Sequence, residues 1–450
     1  MLIEWVNHAS FIVQSGSVRL ICDPWIEGSA FNEGWHLLSP TSLKYEDFGS
    51  ITHIWFSHEH PDHFSPGNLR KIPQELRKRI KVLFHATKDQ RVVRLCQSLG
   101  FQTQELPSLQ RVKISEDFHI VSGAQGLLDS WSAIVAGGTT LLNMNDCVFE
   151  SLPEFEAVQR AIGRVDVLLS QFSYADWIGN PEDLESHRRC AERKLSQMAT
   201  QIRFFQPAHF IPFASFIYFS HAENSFMNAA MNQIGDVFAF VDAQLRAPAV
   251  VLYPGDVWEV GKPYDSSESI QKYNIDLARA VHSQPQPTSS ISMEGLSAAA
   301  GVFFKKCGSK NNRLLLRAMP AAVVRLGDLG VDVELSFRSG LRQVHGKQID
   351  ITLASDSLLN CLTTDWGGET LLINGRFRVA PSGNPRRFFW IFRVPRHNSF
   401  GRSLDFGFMA RQAVGKTRSA VGRRLRKLTS RPRSSAPIEL RAARPRLTGS

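Results

Sequence analysis

The 450-residue sequence has few cysteines and lacks several common functional patterns. Its six cysteines stand far apart and form no Cys-x-x-Cys pair, which suits reduced thiols better than a disulfide framework. The sequence also lacks a run of about 18 apolar residues, the length that a membrane-spanning helix requires. Its first residues show no basic segment followed by an apolar one, as a secretory signal would. We therefore expect a cytoplasmic protein.

Acidic residues are almost missing from the end of the chain. Residues 409–450 contain twelve Lys or Arg and one acid, Glu439, so this segment carries 12 − 1 = +11. The whole chain carries +10, which leaves 10 − 11 = −1 for the remainder. A nearly neutral body argues against a nucleic-acid partner. We expect a disordered basic tail at 406–450, with weak contact to an anionic membrane, at its inner surface, as an alternative to a purely solvated tail.

Strands and helices alternate over the first part of the chain. "LIEWVNHASFIVQSGSVRLICDPW" alternates apolar and polar residues around a turn, which predicts a hairpin and a third short strand. "ITHIWFS" is typical of a buried strand, and "DQRVVRLCQSLG" of an amphipathic helix that ends at Gly100. The alternation predicts a layered α/β domain over residues 1–262.

The stretch "SHEHPDHFS" places three histidines and two acids in six consecutive positions, directly after the apolar strand. A transition metal prefers imidazole and carboxylate ligands on a short rigid segment. His58 and His60 alternate with Glu59, so both project to the same side of an extended turn. Asp62 and His63 follow a proline and begin a second set of ligands. The pattern predicts a site for two metal ions.

This stretch resembles the metal motif of the metallo-β-lactamase fold superfamily. "DSWSAIVAGGTTLLNMNDCVF" and "FIPFASFIYFSHAEN" resemble a narrower branch, which includes the metallo-β-lactamase-like part of CMP-N-acetylneuraminate hydroxylase. The resemblance implies an αββα sandwich with two metals at one edge of the paired sheets. It also implies that Asp146, in "LLNMNDC", bridges the metals, and that Asp62 and Asp146 are the catalytic carboxylates. The expected cofactors are two divalent ions, Zn or Fe, with Mn as a further option.

The resemblance fails at one ligand position. Relatives place a histidine about 15–20 residues before the bridging aspartate, whereas no histidine lies between Val121 and Asp146. Asp129 stands where that histidine is expected. We therefore predict that a carboxylate replaces an imidazole, which favours iron or manganese over zinc.

The last histidine ligand has two candidates. His221 follows the apolar run "FIPFASFIYFS", and we predict that it is the ligand. The alternative is His209, which precedes that run. His8 and Asp23 are expected to support the ligands or the local structure. The full set implied for the metals is His58, His60, Asp62, His63, Asp129, Asp146 and His221.

A Pro-, Ser- and Gln-rich segment, residues 282–290, predicts a domain boundary. An α+β accessory domain is expected at 291–405, with strands in "VDVELSF", "QIDITLA", "ETLLINGRFRV" and "RFFWIF". Part of it faintly resembles sterol-carrier-like domains. Its role is open from sequence.

Two enzyme classes fit these predictions. The first is a metal-dependent hydrolase that uses hydroxide activated by two metals on an ester, amide or phosphoester of a small molecule. The resemblance suggests a sugar or nucleotide-sugar derivative. The alternative is a di-iron oxidative enzyme on the same fold. Because the chain has no paired Cys-x-His and Cys-x-x-His motifs of a Rieske centre, a separate reductase would have to supply its electrons.

Overall fold

The computed structural model describes residues 1–126 and 128–407. Its strands are β1 (Leu2–Asn7), β2 (Ser10–Ser15), β3 (Val18–Cys22), β4 (Ser29–Ala30), β5 (Trp35–Leu37), β6 (His53–Trp55), β7 (Lys81–His85), β8 (Gln102–Leu106), β9 (Arg111–Ser115), β10 (Phe118–Gln125), β11 (Asp129–Ala136), β12 (Thr139–Asn143), β13 (Val167–Gln171), β14 (His209–Phe213), β15 (Ile217–Phe219), β16 (Val257–Glu259), β17 (Ala322–Leu326), β18 (Val331–Ser336), β19 (Gly340–Val344), β20 (Ile351–Leu353) and β21 (Phe377–Val379). Its helices are α1 (Pro66–Lys71), α2 (Gln74–Arg77), α3 (Arg91–Ser98), α4 (Leu152–Ile162), α5 (Leu184–Phe205), α6 (Ile234–Phe240), α7 (Ser267–His282), α8 (Met293–Lys310), α9 (Arg313–Ala318), α10 (Ser355–Thr363), α11 (Gly367–Asn374) and α12 (Pro385–Ser399).

Two sheets pack face to face in the first domain. Their strand orders are β16-β1-β2-β3-β6-β7-β8 and β14-β13-β12-β11-β10-β9. Trp5 and Phe213 meet edge to face between the sheets, with ring centroids 5.8 Å apart. The other face of the first sheet buries Ile54 and Val82 with residues of α1 and α3. Because helices cover its outer face, both faces of this sheet are apolar. The predicted αββα sandwich is confirmed.

The carboxyl ends of strands from both sheets lie at one edge of the sandwich. β3, β6, β7 and β8 run parallel in the first sheet, as do β12, β13 and β14 in the second. Ligands of open α/β sheets bind outside the carboxyl ends of strands. The loops after β3, β6 and β12 therefore define where a site can form.

The smaller α+β domain has its own core. Its sheet has the order β19-β18-β17-β20-β21. Residues from α8, α10 and α12, including Phe303, Leu358 and Phe392, pack against Val324 and other residues of this sheet. The linking helix α7 belongs with the first domain instead, because the hydroxyl of Tyr273 accepts a hydrogen bond from Trp5 Nε1. The first domain thus continues past residue 262.

Two predicted strands of the second domain are wrong. "RFFWIF" lies in helix α12, which begins at Pro385 after the cap Asn384. "ETLLIN" lies in helix α11, and only "FRV" of that segment forms a strand. The predicted tail lies outside the described residues from 408 onwards. None of the helices within 1–126 and 128–407 is long and apolar enough to cross a membrane.

Candidate metal centre

Three chain segments bring the predicted ligands to one place. The loop after β6 carries His58, His60, Asp62 and His63. The turn after β12 carries Asp146, and β11 begins at Asp129. Ser130 Oγ donates to the carbonyl of Ser57 over 2.5 Å, which ties β11 to the histidine loop. Six of the seven predicted ligands thus meet at the edge of the sandwich.

Asp23, directly after β3, organises this edge. Its side chain is fully buried. One oxygen, Oδ1, accepts from the backbone N–H of Ser57 at 2.7 Å. The other, Oδ2, accepts from Ser57 Oγ at 2.6 Å, Asn145 Nδ2 at 2.8 Å and His63 Nδ1 at 2.9 Å. Asp23 therefore joins the histidine loop to the turn that carries Asp146.

These hydrogen bonds determine which ring nitrogens carry protons. His63 donates from Nδ1, because a carboxylate oxygen can only accept. The single proton of Ser57 Oγ goes to Asp23, so this oxygen accepts from His58 Nδ1, 2.9 Å away. In the neutral form that a metal ligand requires, both rings thus present a bare Nε2 to the cluster. Such partners fix the orientation of metal-binding imidazoles in known sites.

The bare nitrogens lie close to the carboxylates. Asp146 Oδ2 lies 3.6 Å from His58 Nε2 and 3.5 Å from His63 Nε2, so it stands between the two rings. Asp62 Oδ2 lies 3.1 Å from His63 Nε2. His58 Nε2 and His60 Nδ1 are 2.9 Å apart. Ligand atoms of His58, His60 and Asp129 lie within 4.8 Å of one another.

The cluster fits metal ions better than it fits a closed hydrogen-bond network. Asp62 Oδ1 and His63 Nε2 are buried, and neither has a hydrogen-bond partner of good geometry among the described residues. Orphaned buried polar atoms are costly without a ligand. The donors are imidazoles and carboxylates, as divalent transition metals require. We conclude that these residues can hold a dinuclear metal centre.

The carboxylates affect one another electrostatically. Burial, followed by the negative charge of Asp146, raises the pKa of Asp129 to about 6. Cations at this place would relieve the repulsion between Asp129 and Asp146.

The structure does not bring His221 to this cluster. Its Nδ1 accepts from the backbone N–H of Glu223 at 3.2 Å, and its backbone pairs with Gln286. It belongs to none of the groups of candidate ligands among the described residues. The apolar run before it is broken at Ala214, whose φ is +46°, so that β14 and β15 enter different sheets. We therefore correct the predicted ligand set by leaving His221 out.

The alternative, His209, begins β14 at the opposite end from the cluster. The end near the cluster is marked by Gln171 Nε2, which contacts both Asp146 Oδ1 and the carbonyl of Ala214 at 3.3 Å. His209 instead packs its ring against Trp258, at 5.0 Å between centroids. Neither predicted histidine thus completes the site.

His8 lies where sequence reasoning left its role open. Its Nε2 is 3.3 Å from Asp62 Oδ2, and its Nδ1 accepts from the backbone N–H of Phe216 at 3.2 Å. A neutral ring that accepts at Nδ1 carries its proton at Nε2. His8 is therefore placed to donate to Asp62 rather than to bind a metal.

Sequence reasoning missed three contributors to this site: Ser57, Asn145 and Phe31. Ser57 and Asn145 connect the ligand loops through Asp23, and the ring of Phe31 lies 5.7 Å from that of His60. The first two adjoin predicted ligands in sequence, which is a usable signal. Phe31 has no such signal, because its position depends on tertiary contacts.

Comparison with known proteins identifies relatives of the first domain. Residues 2–171 match the family model described as "Beta-lactamase superfamily domain". A protein of Mycolicibacterium smegmatis named for a Rieske 2Fe-2S iron–sulfur centre is 28% identical over 193 residues, which are 39% of this chain and 35% of that protein. Cytidine monophosphate-N-acetylneuraminic acid hydroxylase of Cricetulus griseus is 28% identical over 239 residues, 50% of this chain and 42% of the hydroxylase.

A shorter match has a higher sequence identity than these two. A metal-dependent hydrolase of Pyrobaculum islandicum is 41% identical over 63 residues, 14% of this chain and 24% of that protein. The matched regions thus cover less than half the length of these relatives. The family match spans the hairpin, the histidine loop, Asp129 and Asp146. Over residues 2–171, the first domain thus matches the β-lactamase superfamily domain in sequence.

Proposed function

We propose that the protein is a metal-dependent hydrolase that acts on an ester, amide or phosphoester through a dinuclear centre. The observation that carries this proposal is the convergence of His58, His60, Asp62, His63, Asp129 and Asp146, with Asp146 between two bare imidazole nitrogens. Two divalent ions bound there would supply hydroxide at neutral pH and polarise a substrate oxygen.

The residues of the chain have separable roles in this proposal. His58, His60 and Asp129 would hold one ion, and Asp62 with His63 would hold the other. Asp146 would be available to both. His8 donates to Asp62 and so fixes the direction of its carboxylate. Hydrogen bonds through Ser57 and Asp23 keep the lone pairs of His58 and His63 directed at the centre.

Metal analysis of protein purified without added metal tests the proposal. We expect about two equivalents per chain. His60→Ala should lose at least one equivalent and keep its fold, whereas His345→Ala, at an exposed histidine of the second domain, should retain both. Unchanged metal content in His60→Ala would contradict the assignment. Hydrolysis of a panel of ester, amide and phosphoester substrates should require the metal.

Asp129 favours a second candidate, a di-iron oxidative enzyme. A carboxylate replaces an imidazole beside His58 and His60, and harder ligands favour iron or manganese. The relative from Cricetulus griseus is named as a hydroxylase. Asp129→His should shift the preference towards zinc. Two irons per isolated chain, with no metal-dependent hydrolysis, would support oxidation with electrons from a separate reductase.

The substrate proposal rests on the same relative. Its name suggests a sugar or nucleotide-sugar derivative as substrate here. Calorimetry can measure the binding of such compounds to the metal-loaded protein, and this measurement tests the substrate class directly. A complete lack of binding would exclude it while leaving the metal centre intact.

We further propose that the basic segment 409–450 makes weak contact with anionic membranes in the cytoplasm. Its charge of +11 is the support. Deleting it should leave metal content unchanged and abolish sedimentation with anionic vesicles at low salt. Equal sedimentation of both proteins would contradict this contact.

A further inference from the structure

A pocket of about 180 Å³ opens beside His60, and both domains form it. Phe31, Glu59, His60 and Pro61 line one side. Helix α11 of the second domain lines the other side with Thr370 and Ile373. An apolar cavity of about 150 Å³ is large enough to hold benzene. The pocket is therefore large enough for a group of phenyl size next to the metal ligands.

Hydrogen bonds join the second domain to the first domain at this wall of the pocket. Asn374, the last residue of α11, is buried and donates from Nδ2 to the carbonyl of Phe31 at 2.9 Å. Its own carbonyl accepts from Asn224 Nδ2 at 2.6 Å. A Cβ placed on Gly34 would overlap the Cβ of Asn374, so the segments that carry these two residues approach closely here. The wall of the pocket is thus fixed to the first domain.

The same contacts hold an unusual turn. Phe31, Asn32 and Glu33 have φ of +52°, +54° and +60°, which side-chain-bearing residues adopt at a cost. Such backbone persists only where its surroundings determine it. Arg376 donates from a guanidinium nitrogen to the carbonyl of Asn32 at 2.8 Å, beside the Asn374–Phe31 bond. The second domain therefore places the Phe31 ring against His60.

The charges at the pocket are already paired. Glu59 and Glu369 line it, and they pair with Arg91 at 3.2 Å and Arg396 at 2.6 Å. Both arginines also lie over the ring of Trp366, at 5.8 and 5.3 Å from its centroid. With these cations engaged, an anion that entered would face two carboxylates. The pocket suits a neutral group.

We propose that the second domain completes the substrate site, and that Thr370 and Ile373 select a neutral, largely apolar group attached to the reacting bond. This inference rests on the proposed function, because the pocket matters only beside a reactive centre. A carboxylate or phosphate of the substrate lies outside this pocket.

Hydroxamates of graded substituent test the pocket without turnover, because they bind metals through the hydroxamate. Acetohydroxamate, benzohydroxamate and succinomonohydroxamate are titrated into the metal-loaded full chain by calorimetry. We expect benzohydroxamate to bind about tenfold more tightly than acetohydroxamate, since its ring is buried. Succinomonohydroxamate should bind more weakly than acetohydroxamate.

Variants connect this preference to α11. Thr370→Phe and Ile373→Phe should remove the preference for the phenyl group, while the affinity for acetohydroxamate stays within about twofold of the wild type. Ile373→Ala, which removes apolar contacts but leaves the space open, should reduce the preference without abolishing it. Thr363→Phe is the matched control, because Thr363 is exposed on α10 of the same domain. Metal content and melting temperature of each variant show whether it is folded.

The outcomes are distinguishable. If the wild type binds the acetyl and phenyl compounds with equal affinity, the inference about the pocket is wrong, but the proposed function is unaffected. The same holds if Thr370→Phe and Ile373→Phe, folded and metal-loaded, retain the preference. Failure of acetohydroxamate to bind the metal-loaded protein would overturn the proposed function, and this inference with it.

Discussion

Asp23 and Arg376 are both fully buried charges, yet their surroundings differ. Asp23 accepts from Ser57, His63 and Asn145 at the candidate metal centre. Arg376 lies at the junction of the domains and donates to Glu223 at 2.9 Å and to Asp356 at 2.6 Å.

The difference shows two uses of a buried charge. The partners of Asp23 are hydrogen-bond donors of ligand-bearing loops, so its main effect is on the direction of lone pairs. The partners of Arg376 include two carboxylates, so its main effect is to compensate charge where two domains meet. Removing Asp23 should mainly weaken metal binding, and removing Arg376 should mainly weaken the fold.

The largest effect is expected for Arg376→Met. Methionine fills much of the space but leaves Glu223 and Asp356 without their buried cation. Breaking a buried ion pair on one side costs about 3–5 kcal/mol. We expect the free energy of unfolding, measured by urea denaturation, to fall by this amount.

Arg342→Met provides the control for that loss. Arg342 pairs with Glu334 at 2.6 Å, but 55% of its side chain is exposed. Pairs of this kind contribute less than about 1 kcal/mol. If the two variants lose equal stability, Arg376 does not compensate buried charge as described.

A smaller effect, on metal binding, is expected for Asp23→Asn. The amide offers one acceptor in place of two, and its NH₂ group would face other donors. Loss of such supporting partners weakens metal affinity by about 10–100-fold. Competition with a chromophoric chelator measures the change. Asp117→Asn, at an exposed position, should bind metal as the wild type does; a wild-type affinity for Asp23→Asn would remove the proposed role of Asp23.

The smallest effect concerns pH and His221, which lies near Arg376. Burial, followed by the charge of Arg376, lowers the pKa of His221 from 6.5 to about 4. The unfolded chain therefore takes up this proton first as pH falls. The free energy of unfolding should decrease between about pH 6.5 and 4, with a slope of up to about 1.4 kcal/mol per pH unit from this group.

His221→Gln should flatten that slope. Unfolding is measured in the presence of a chelator, so that metal release does not contribute. His345→Gln, at an exposed histidine, is the matched substitution. If the free energy of unfolding depends on pH in the same way for His221→Gln and the wild type, the pKa of His221 is not lowered as described.

Sequence was informative where neighbours in the chain are neighbours in space. The histidine loop could be predicted because its ligands are consecutive after an apolar strand. Asp146 and Asp129 became candidates through the resemblance to the metallo-β-lactamase superfamily, not through a local pattern. His221 could not, because one left-handed residue, Ala214, divides an apparently continuous run between two sheets.

The second domain was harder to predict for a related reason. Aromatic residues favour strands in general, but Asn384 caps and Pro385 begins a helix through "RFFWIF". The contacts of Arg376 and Asn374 with residues 31 and 32 join distant parts of the chain. No local pattern signals them.

The distance along the chain between Asn374 and Phe31 has a consequence for biosynthesis. The two residues are 343 positions apart. At about 5–20 residues per second, a ribosome adds Asn374 roughly 20–70 s after Phe31. The six residues of the candidate centre have all been synthesised by residue 146, long before the wall of the pocket. Translation order thus separates synthesis of the candidate metal centre from synthesis of the residues that close the proposed pocket.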